Sequence, residues 1–370
     1  MPYDFSSQQA KALDAVADWL KHDAKRKPVF RLFGYAGTGK TTLAQHLAEG
    51  VDGDVLYAAF TGKAASMMDR NGCVGARTIH QLIYQPRKMP DGRVTFCLNP
   101  RSLAAEAALI ILDECSMVNE DLARDLMSFG TPILVLGDPA QLPPVNGAGY
   151  FTETSPDVML TEIHRQALDS PVLRLATEVR EGRTPALGDH GACRVIPLDE
   201  CDMADIIAAD QVLAGRNELI GELNRAIRRE LGYTSDLPGL GDRLLCLRND
   251  HDIGLFNGET VRVTSEPEYA SSSEVVSMKV KHDGFEDTDE VEISVHRKFF
   301  TNEQNSLDWE ARRKSHEFGY GYAMTVHKAQ GSQWDNVLIF DESEVFREHA
   351  QAWLYTAITR ASERLTLVII

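Results

Sequence analysis

The segment Gly34-Tyr35-Ala36-Gly37-Thr38-Gly39-Lys40-Thr41-Thr42 constrains this chain more than any other stretch. It follows an apolar run at residues 29–33 and leads toward a helix, so it reads as strand, phosphate loop, helix. Glycines let successive backbone N–H groups approach phosphate oxygens closely, and the following helix N-terminus faces them with partial positive charge. Gly34, Gly37, Thr38, Gly39, Lys40, Thr41 and Thr42 are therefore candidate nucleotide-binding residues, with Lys40 reaching the β and γ phosphates and Thr41 ligating Mg2+. A merely structural glycine-rich turn is the bland alternative, and the strand-to-helix placement counts against it.

A second apolar run, Leu109-Ile110-Ile111-Leu112, ends in Asp113-Glu114 and resembles a Walker B element. Asp113 would hold Mg2+ and Glu114 would polarise the attacking water. Paired acids at a strand end are often only a solvated turn, but after a phosphate loop they point to nucleotide hydrolysis with ATP and Mg2+ as cofactors. Apolar runs at 55–60 and 133–136 each precede a polar turn, the pattern of a parallel sheet with its chemistry at the C-terminal edge. Residues 1–158 are read as one α/β domain, opened by an amphipathic helix over about 8–22. Residues 84–100, which contain Pro86, Pro90, Asp91-Gly92 and Pro100, read as a short hairpin insertion turning at Asp91-Gly92. A second α/β domain, 159–259 and 318–370, takes strands at 211–214, 243–247, 337–339 and 366–370. Between its parts, alternation in Val261/Val263, Met278/Val280 and Val291/Ile293/Val295 predicts a small antiparallel, SH3-like barrel over 260–317.

With 370 residues, 43% hydrophobic and 25% charged, the chain has the composition of a soluble globular protein able to bury substantial cores. Its N-terminus lacks a basic region followed by an apolar run, and no apolar stretch is long enough to span a bilayer, so a cytoplasmic protein without membrane contact is expected. The six cysteines form no Cys-x-x-Cys pair and no zinc-ligand spacing, which leaves them as reduced packing residues. A formal net charge of −17 excludes coating of nucleic acid by bulk electrostatics, so any such contact must be local.

Further segments follow in a fixed order: Phe5-Ser6-Ser7-Gln8-Gln9-Ala10, Phe60-Thr61-Gly62-Lys63-Ala64-Ala65, Thr78-Ile79-His80, and Leu136-Gly137-Asp138-Pro139-Ala140-Gln141-Leu142-Pro143-Pro144. Later come Leu160-Thr161-Glu162-Ile163-His164-Arg165-Gln166, Gly321-Tyr322-Ala323-Met324-Thr325-Val326-His327-Lys328-Ala329-Gln330-Gly331-Ser332 and Tyr355-Thr356-Ala357-Ile358-Thr359-Arg360-Ala361. Across nearly the whole chain this succession resembles the RecD-like branch of superfamily 1 helicases, bacteriophage members included. The resemblance implies adenine recognition by Gln9, with adjacent Gln8 as the alternative register. It implies γ-phosphate sensing by Gln141, arginine fingers at Arg165 and Arg360, and Gln330-Gly331 near nucleotide. Thr61, Lys63, Thr78, His80, Thr325 and His327 would contact the DNA backbone, where short polar groups position a strand without reading its sequence.

The same resemblance implies two RecA-like domains with ATP between them and single-stranded DNA crossing both, moved 5′-to-3′ by alternating grips. Expected partners are single-stranded and fork DNA, with single-strand-binding or recombination proteins beside them, in replication, recombination or repair. Phe96 in the hairpin is the candidate wedge, since an aromatic ring there can stack on an exposed base. The 260–317 insertion ends in Arg297, Lys298, Arg312, Arg313 and Lys314 with Phe299, Phe300 and Trp309. That cluster reads either as a clamp on a single strand or as the insertion's own core with a solvated charged face. Competing functions are a motor subunit of a larger recombination or nuclease complex, and a P-loop small-molecule kinase. The kinase leaves the segments at 321–332 and 355–361 unexplained.

Overall fold

The computed structural model describes residues 5–88, 94–143, 149–163, 169–250, 253–269, 274–283, 289–301 and 303–370. The chain divides into two compact units, Met1–Gly182 and Arg183–Ile370.

The first unit carries strands β1 (Val29–Gly34), β2 (Val55–Ala59), β3 (Arg77–Thr78), β4 (Tyr84–Lys88), β5 (Val94–Leu98), β6 (Leu109–Asp113), β7 (Ile133–Gly137) and β8 (Val158–Leu160). Six of them form one parallel sheet in the order β3-β2-β6-β7-β1-β8. Alternate residues of the central strands enter opposite cores. Ile110, Leu112, Ile133 and Val135 pack with Leu122, Ala123 and Leu126 of the helix Glu120–Met127. Leu109, Ile111, Leu134 and Leu136 pack with Ala12 and Val16 of the helix Ser7–Asp18 and Leu43 and Ala44 of the helix Lys40–Glu49. Both faces are covered, which explains the unbroken apolar runs. Each fully buried aliphatic side chain contributes about 1.5–3 kcal/mol.

The first helix stops at Asp18 and continues as one π turn, Trp19–Asp23, where the buried Trp19 indole donates to Lys27 O at 2.7 Å. Strands β4 and β5 pair antiparallel, Pro86 opposite Phe96, apart from the parallel sheet. The expected turn at Asp91-Gly92 lies outside the described residues.

The sequence places the end of the first domain at 158, whereas the compact unit runs to Gly182. The reason is local: β8 pairs with β1, and the helix Pro171–Arg180 returns to the phosphate loop through Arg180.

The second unit carries β9 (Gly188–His190), β10 (Cys193–Pro197), β11 (Gln211–Ala214), β12 (Arg243–Cys246), β13 (Thr260–Val263), β14 (Glu268–Tyr269), β15 (Val275–His282), β16 (Val291–His296), β17 (Phe318–Tyr320), β18 (Ala323–Thr325), β19 (Trp334–Asp341) and β20 (Ala361–Ile369). One sheet runs β18-β11-β19-β20-β10-β9, parallel except for the edge strand β9. The other, β14-β15-β13-β12-β17 with β16 beside β15, is antiparallel throughout.

Here β12 departs from expectation. It lies between β13 and β17 in the antiparallel sheet, with Leu244 and Cys246 in the core around Val261 and Phe318, not among the parallel strands. A four-residue apolar strand has no periodicity that separates the two settings. Phe299 and Phe300 also belong to that core, at 5% and 6% exposure, whereas Trp309 is 65% exposed. Arg228 of the helix Asn217–Glu230 joins this sheet to the parallel one, donating from Nη2 to Asp242 Oδ2 at 2.9 Å with both side chains buried.

Among the described residues no helix is long and apolar enough to cross a membrane.

Candidate nucleotide and nucleic-acid site

In a parallel sheet every strand delivers its following loop to the same edge. The turn after β1 therefore meets Asp113 at the end of β6 and the 138–141 turn after β7. Gly37 and Gly39 adopt positive φ, 76° and 78°, which non-glycine residues rarely hold. A Cβ on Gly34 would stand 2.6 Å from Thr38 Oγ1 and 2.8 Å from Leu160 Cβ, so only glycine fits beneath the loop. Thr38 is fully buried, its hydroxyl donating to Tyr35 O at 2.8 Å. Lys40 Nζ donates to Gly34 O at 2.7 Å and Tyr35 O at 3.0 Å, which holds the ammonium in the mouth of the loop.

Thr41 Oγ1 donates to Asp113 Oδ2 at 3.1 Å. A hydroxyl and a carboxylate oxygen this close suit a hard cation that takes its remaining ligands from phosphate and water, as Mg2+ does. Asp113 Oδ1 accepts from the Glu114 amide at 2.8 Å, and Glu114 has φ 51°. That left-handed backbone on a non-glycine residue is a strained conformation of the kind that clusters at functional sites. Gln141 Oε1 is buried without a hydrogen-bond partner among the described residues, while its backbone N–H donates to Asp138 O at 3.2 Å. A buried acceptor without a donor is costly, and a water or hydroxyl would satisfy it.

The two glutamines of the first helix divide their contacts. Gln9 is 5% exposed; its Oε1 accepts from Ser6 N at 3.0 Å and its Nε2 donates to Thr38 O at 3.0 Å. Gln8 Oε1 accepts from the Thr161 and Glu162 amides, both at 2.9 Å, tying the helix to the chain leaving β8. Thr61 and Thr78 both cap helices: Thr61 Oγ1 accepts from Ala64 N and Thr78 Oγ1 from Gln81 N, each at 3.1 Å. Among the described residues neither hydroxyl donates its proton to an acceptor, and Thr78 is only 4% exposed. Lys63 lies one residue into the first capped helix, and His80 packs its ring against Tyr84 with centroids 5.4 Å apart. Phe96 is 53% exposed. Arg165 lies outside the described residues.

In the second unit, Thr325 ends β18 and its Oγ1 accepts from Lys328 N at 3.3 Å. Burial, with His349 nearby, holds the His327 imidazole below its ordinary pKa, and burial alone does the same to the Lys328 ammonium. A cavity of about 550 Å³ opens here, lined in part by Asn217, Arg225, Phe300, Tyr320, Thr325 and Lys328. Gln330 is 2% exposed and Gly331 has φ 72°. Arg360 is 5% exposed and fully engaged in its own unit, donating to Thr356 O, Ser332 O and Thr359 Oγ1, all at 3.1 Å. The sequence gives no sign of one further contact: Arg180 Cζ lies 3.6 Å from the centroid of the Tyr35 ring, inside the phosphate loop.

Residues 320–368 match the UvrD-like helicase C-terminal domain. The chain is 28% identical to the ATP-dependent RecD2 DNA helicase of Deinococcus radiodurans, over 97% of this chain and 48% of that protein, and so spans about half the relative's length. Its fold is similar to that of Pif1 helicases solved at forked double-stranded DNA, with TM-score 0.60, 20% identity and coverage of 99% of this chain and 92% of that one. It is likewise similar to Bacteroides Pif1 solved with ADP-AlF3 and single-stranded DNA, with TM-score 0.57, 19% identity and the same coverage. Residues 5–213, more than half the chain, match the AAA domain; the protein belongs to that family and, with the second match, resembles the RecD-like helicases of superfamily 1.

Proposed function

We propose that this chain is an ATP-dependent motor that moves 5′-to-3′ on single-stranded DNA and separates duplex. The observation that carries it is the 3.1 Å contact between Thr41 and Asp113 under a glycine-rich phosphate loop, in a chain whose other end matches a helicase domain. Lys40 and the loop amides bind the triphosphate, Thr41 and Asp113 hold Mg2+, and Glu114 activates the attacking water. Gln141 senses that water through its unsatisfied Oε1. Arg360 and Arg165 neutralise charge on the transferred phosphoryl group, since a guanidinium keeps its charge at any physiological pH. Gln9 reads adenine, and Gln330-Gly331 face nucleotide.

Thr61, Lys63, Thr78, His80, Thr325 and His327 hold the DNA backbone. The two units are RecA-like domains. The β4–β5 ladder is the wedge hairpin, and the antiparallel sheet of the second unit is an SH3-like clamp on the strand.

The deciding experiment is unwinding of duplexes carrying only a 5′ or only a 3′ single-stranded tail by the isolated chain with ATP. Unwinding of the 5′-tailed substrate alone is expected. DNA-independent ATP hydrolysis with no unwinding of either substrate would favour a small-molecule kinase.

A second reading, that the chain is the motor part of a larger recombination or nuclease complex, is favoured by its span of 48% of the RecD2 relative. In that case the isolated chain translocates and hydrolyses ATP but leaves the duplex intact.

A further inference from the structure

Arg180 belongs to none of the motifs above, yet it stacks on Tyr35 of the phosphate loop. We infer that Arg180 is a positioning residue of the nucleotide site: stacked on Tyr35, it holds the first turn of the phosphate loop ready for the nucleotide and thereby sets affinity. The inference rests on the nucleotide-binding reading of that loop.

Tyr35 is the residue around which the loop is organised. Its carbonyl accepts from Thr38 N at 3.3 Å, Thr38 Oγ1 at 2.8 Å and Lys40 Nζ at 3.0 Å, and its amide donates to Leu160 O at 3.3 Å. A shift of Tyr35 would therefore move Lys40, Thr38 and the junction with β8 together. The main chain of Tyr35 is tied down on the sheet side, and its ring is the remaining handle.

Arg180 grips that ring, with Cζ 3.6 Å from the centroid. Cation–ring attraction of this kind grows as the pair is withdrawn from water, and the Arg180 side chain is only 16% exposed. Its helix, Pro171–Arg180, is a firm support because Val172, Leu175, Ala176 and Val179 are buried. A loose ion pair to the more exposed Glu181, 3.8 Å from Nη2, lies at the same helix end.

When phosphate displaces the two carbonyls from Lys40, a loop fixed at Tyr35 keeps its amides in place. An untethered loop must be ordered at the expense of binding free energy. The stack should thus act on nucleotide affinity and hardly on the chemical step.

The test measures affinity for a fluorescent ADP analogue, together with KM, kcat and thermal unfolding, in the whole chain. Arg180→Met keeps the aliphatic stem and removes the charge; it should weaken ADP binding and raise the KM for ATP by about 2- to 30-fold, with kcat and melting temperature little changed. Arg180→Lys should recover part of the loss. Tyr35→Ala should reproduce the affinity defect, and adding Arg180→Met to it should cost no more.

Wild-type affinity in Arg180→Met, or full additivity of the two substitutions, overturns the inference. Loss of melting temperature at unchanged affinity also overturns it, by making the stack purely structural. Wild-type protein that binds no ADP would instead overturn the nucleotide-site reading itself, and this inference with it.

Discussion

Lys40 holds its ammonium against two loop carbonyls at 2.7 and 3.0 Å, contacts that a triphosphate has to replace. Lys40→Ala should therefore abolish ATP hydrolysis while the chain melts as before, because the substitution removes no core contact. Glu114→Gln should bind ATP and lose turnover, since it keeps the side-chain shape and loses the base. Near-normal hydrolysis by either variant would overturn the assigned roles. Arg360 is a harder case. The sequence motif suggests a finger whose removal spares the fold, but the structure buries the guanidinium and gives it three hydrogen bonds at 3.1 Å within its own unit. Arg360→Ala would remove these three buried hydrogen bonds, with Thr356 O keeping a second donor in the Thr359 hydroxyl at 2.9 Å; the cost is about 1–3 kcal/mol, so some loss of melting temperature is expected in any case. A finger adds a second effect, a fall in turnover of about 10³- to 10⁵-fold in protein that is still folded. Turnover measured well below the melting temperature separates the two, and a folded Arg360→Ala variant with wild-type turnover assigns the residue to structure alone.

At the scale of elements, strands flanked by clear turn residues were legible and short apolar ones were not. The unbroken apolar runs at β1, β6 and β7 announce strands buried on both faces, and the glycine-rich turn after β1 fixes where the chemistry lies. By contrast, the run Arg243-Leu244-Leu245-Cys246 carries no information about its partners, and only long-range pairing with β13 and β17 assigns it to the antiparallel sheet. Motif residues were legible by type but not by use. The sequence does not show that the Thr61 and Thr78 hydroxyls cap helices, or that Gln9 reaches the carbonyl of Thr38, because these contacts depend on where helices begin. Arg180 carried no local signal at all, since its partner lies 145 positions earlier in the chain.

The β4–β5 ladder offers a direct test at this scale. Phe96 is 53% exposed opposite Pro86, so Phe96→Ala should change stability by no more than about 0.5 kcal/mol, as surface substitutions usually do. If the ladder is the wedge, the variant should unwind tailed duplex more slowly while hydrolysing ATP on single-stranded DNA at the normal rate. Unwinding equal to wild type removes Phe96 from the fork.

For the whole molecule, a net charge of −17 means that grip on a polyanion has to come from a few placed cations and rings. The structure narrows which rings can serve. Phe299 and Phe300 fill the core of the antiparallel sheet, so of the three aromatics in the basic cluster the exposed one is Trp309, 65% exposed with Arg313 Cζ 5.4 Å from its centroid. Deleting residues 260–314 would be a poor test, because β12 shares the sheet and would lose its pairing with β13. Point substitutions avoid this. Trp309→Ala should weaken binding to single-stranded DNA by about 1–3 kcal/mol if bases stack on it, with little change in salt dependence. Arg313→Gln should instead flatten the dependence of log affinity on log salt by about 0.7, the release of one counterion from a single strand. Lys314 pairs with Glu310 at 2.7 Å, so Lys314→Gln should do less than Arg313→Gln. Binding titrations at several salt concentrations check all three, and a Trp309→Ala variant with wild-type affinity and processivity would mean that the antiparallel sheet does not clamp the strand through this ring.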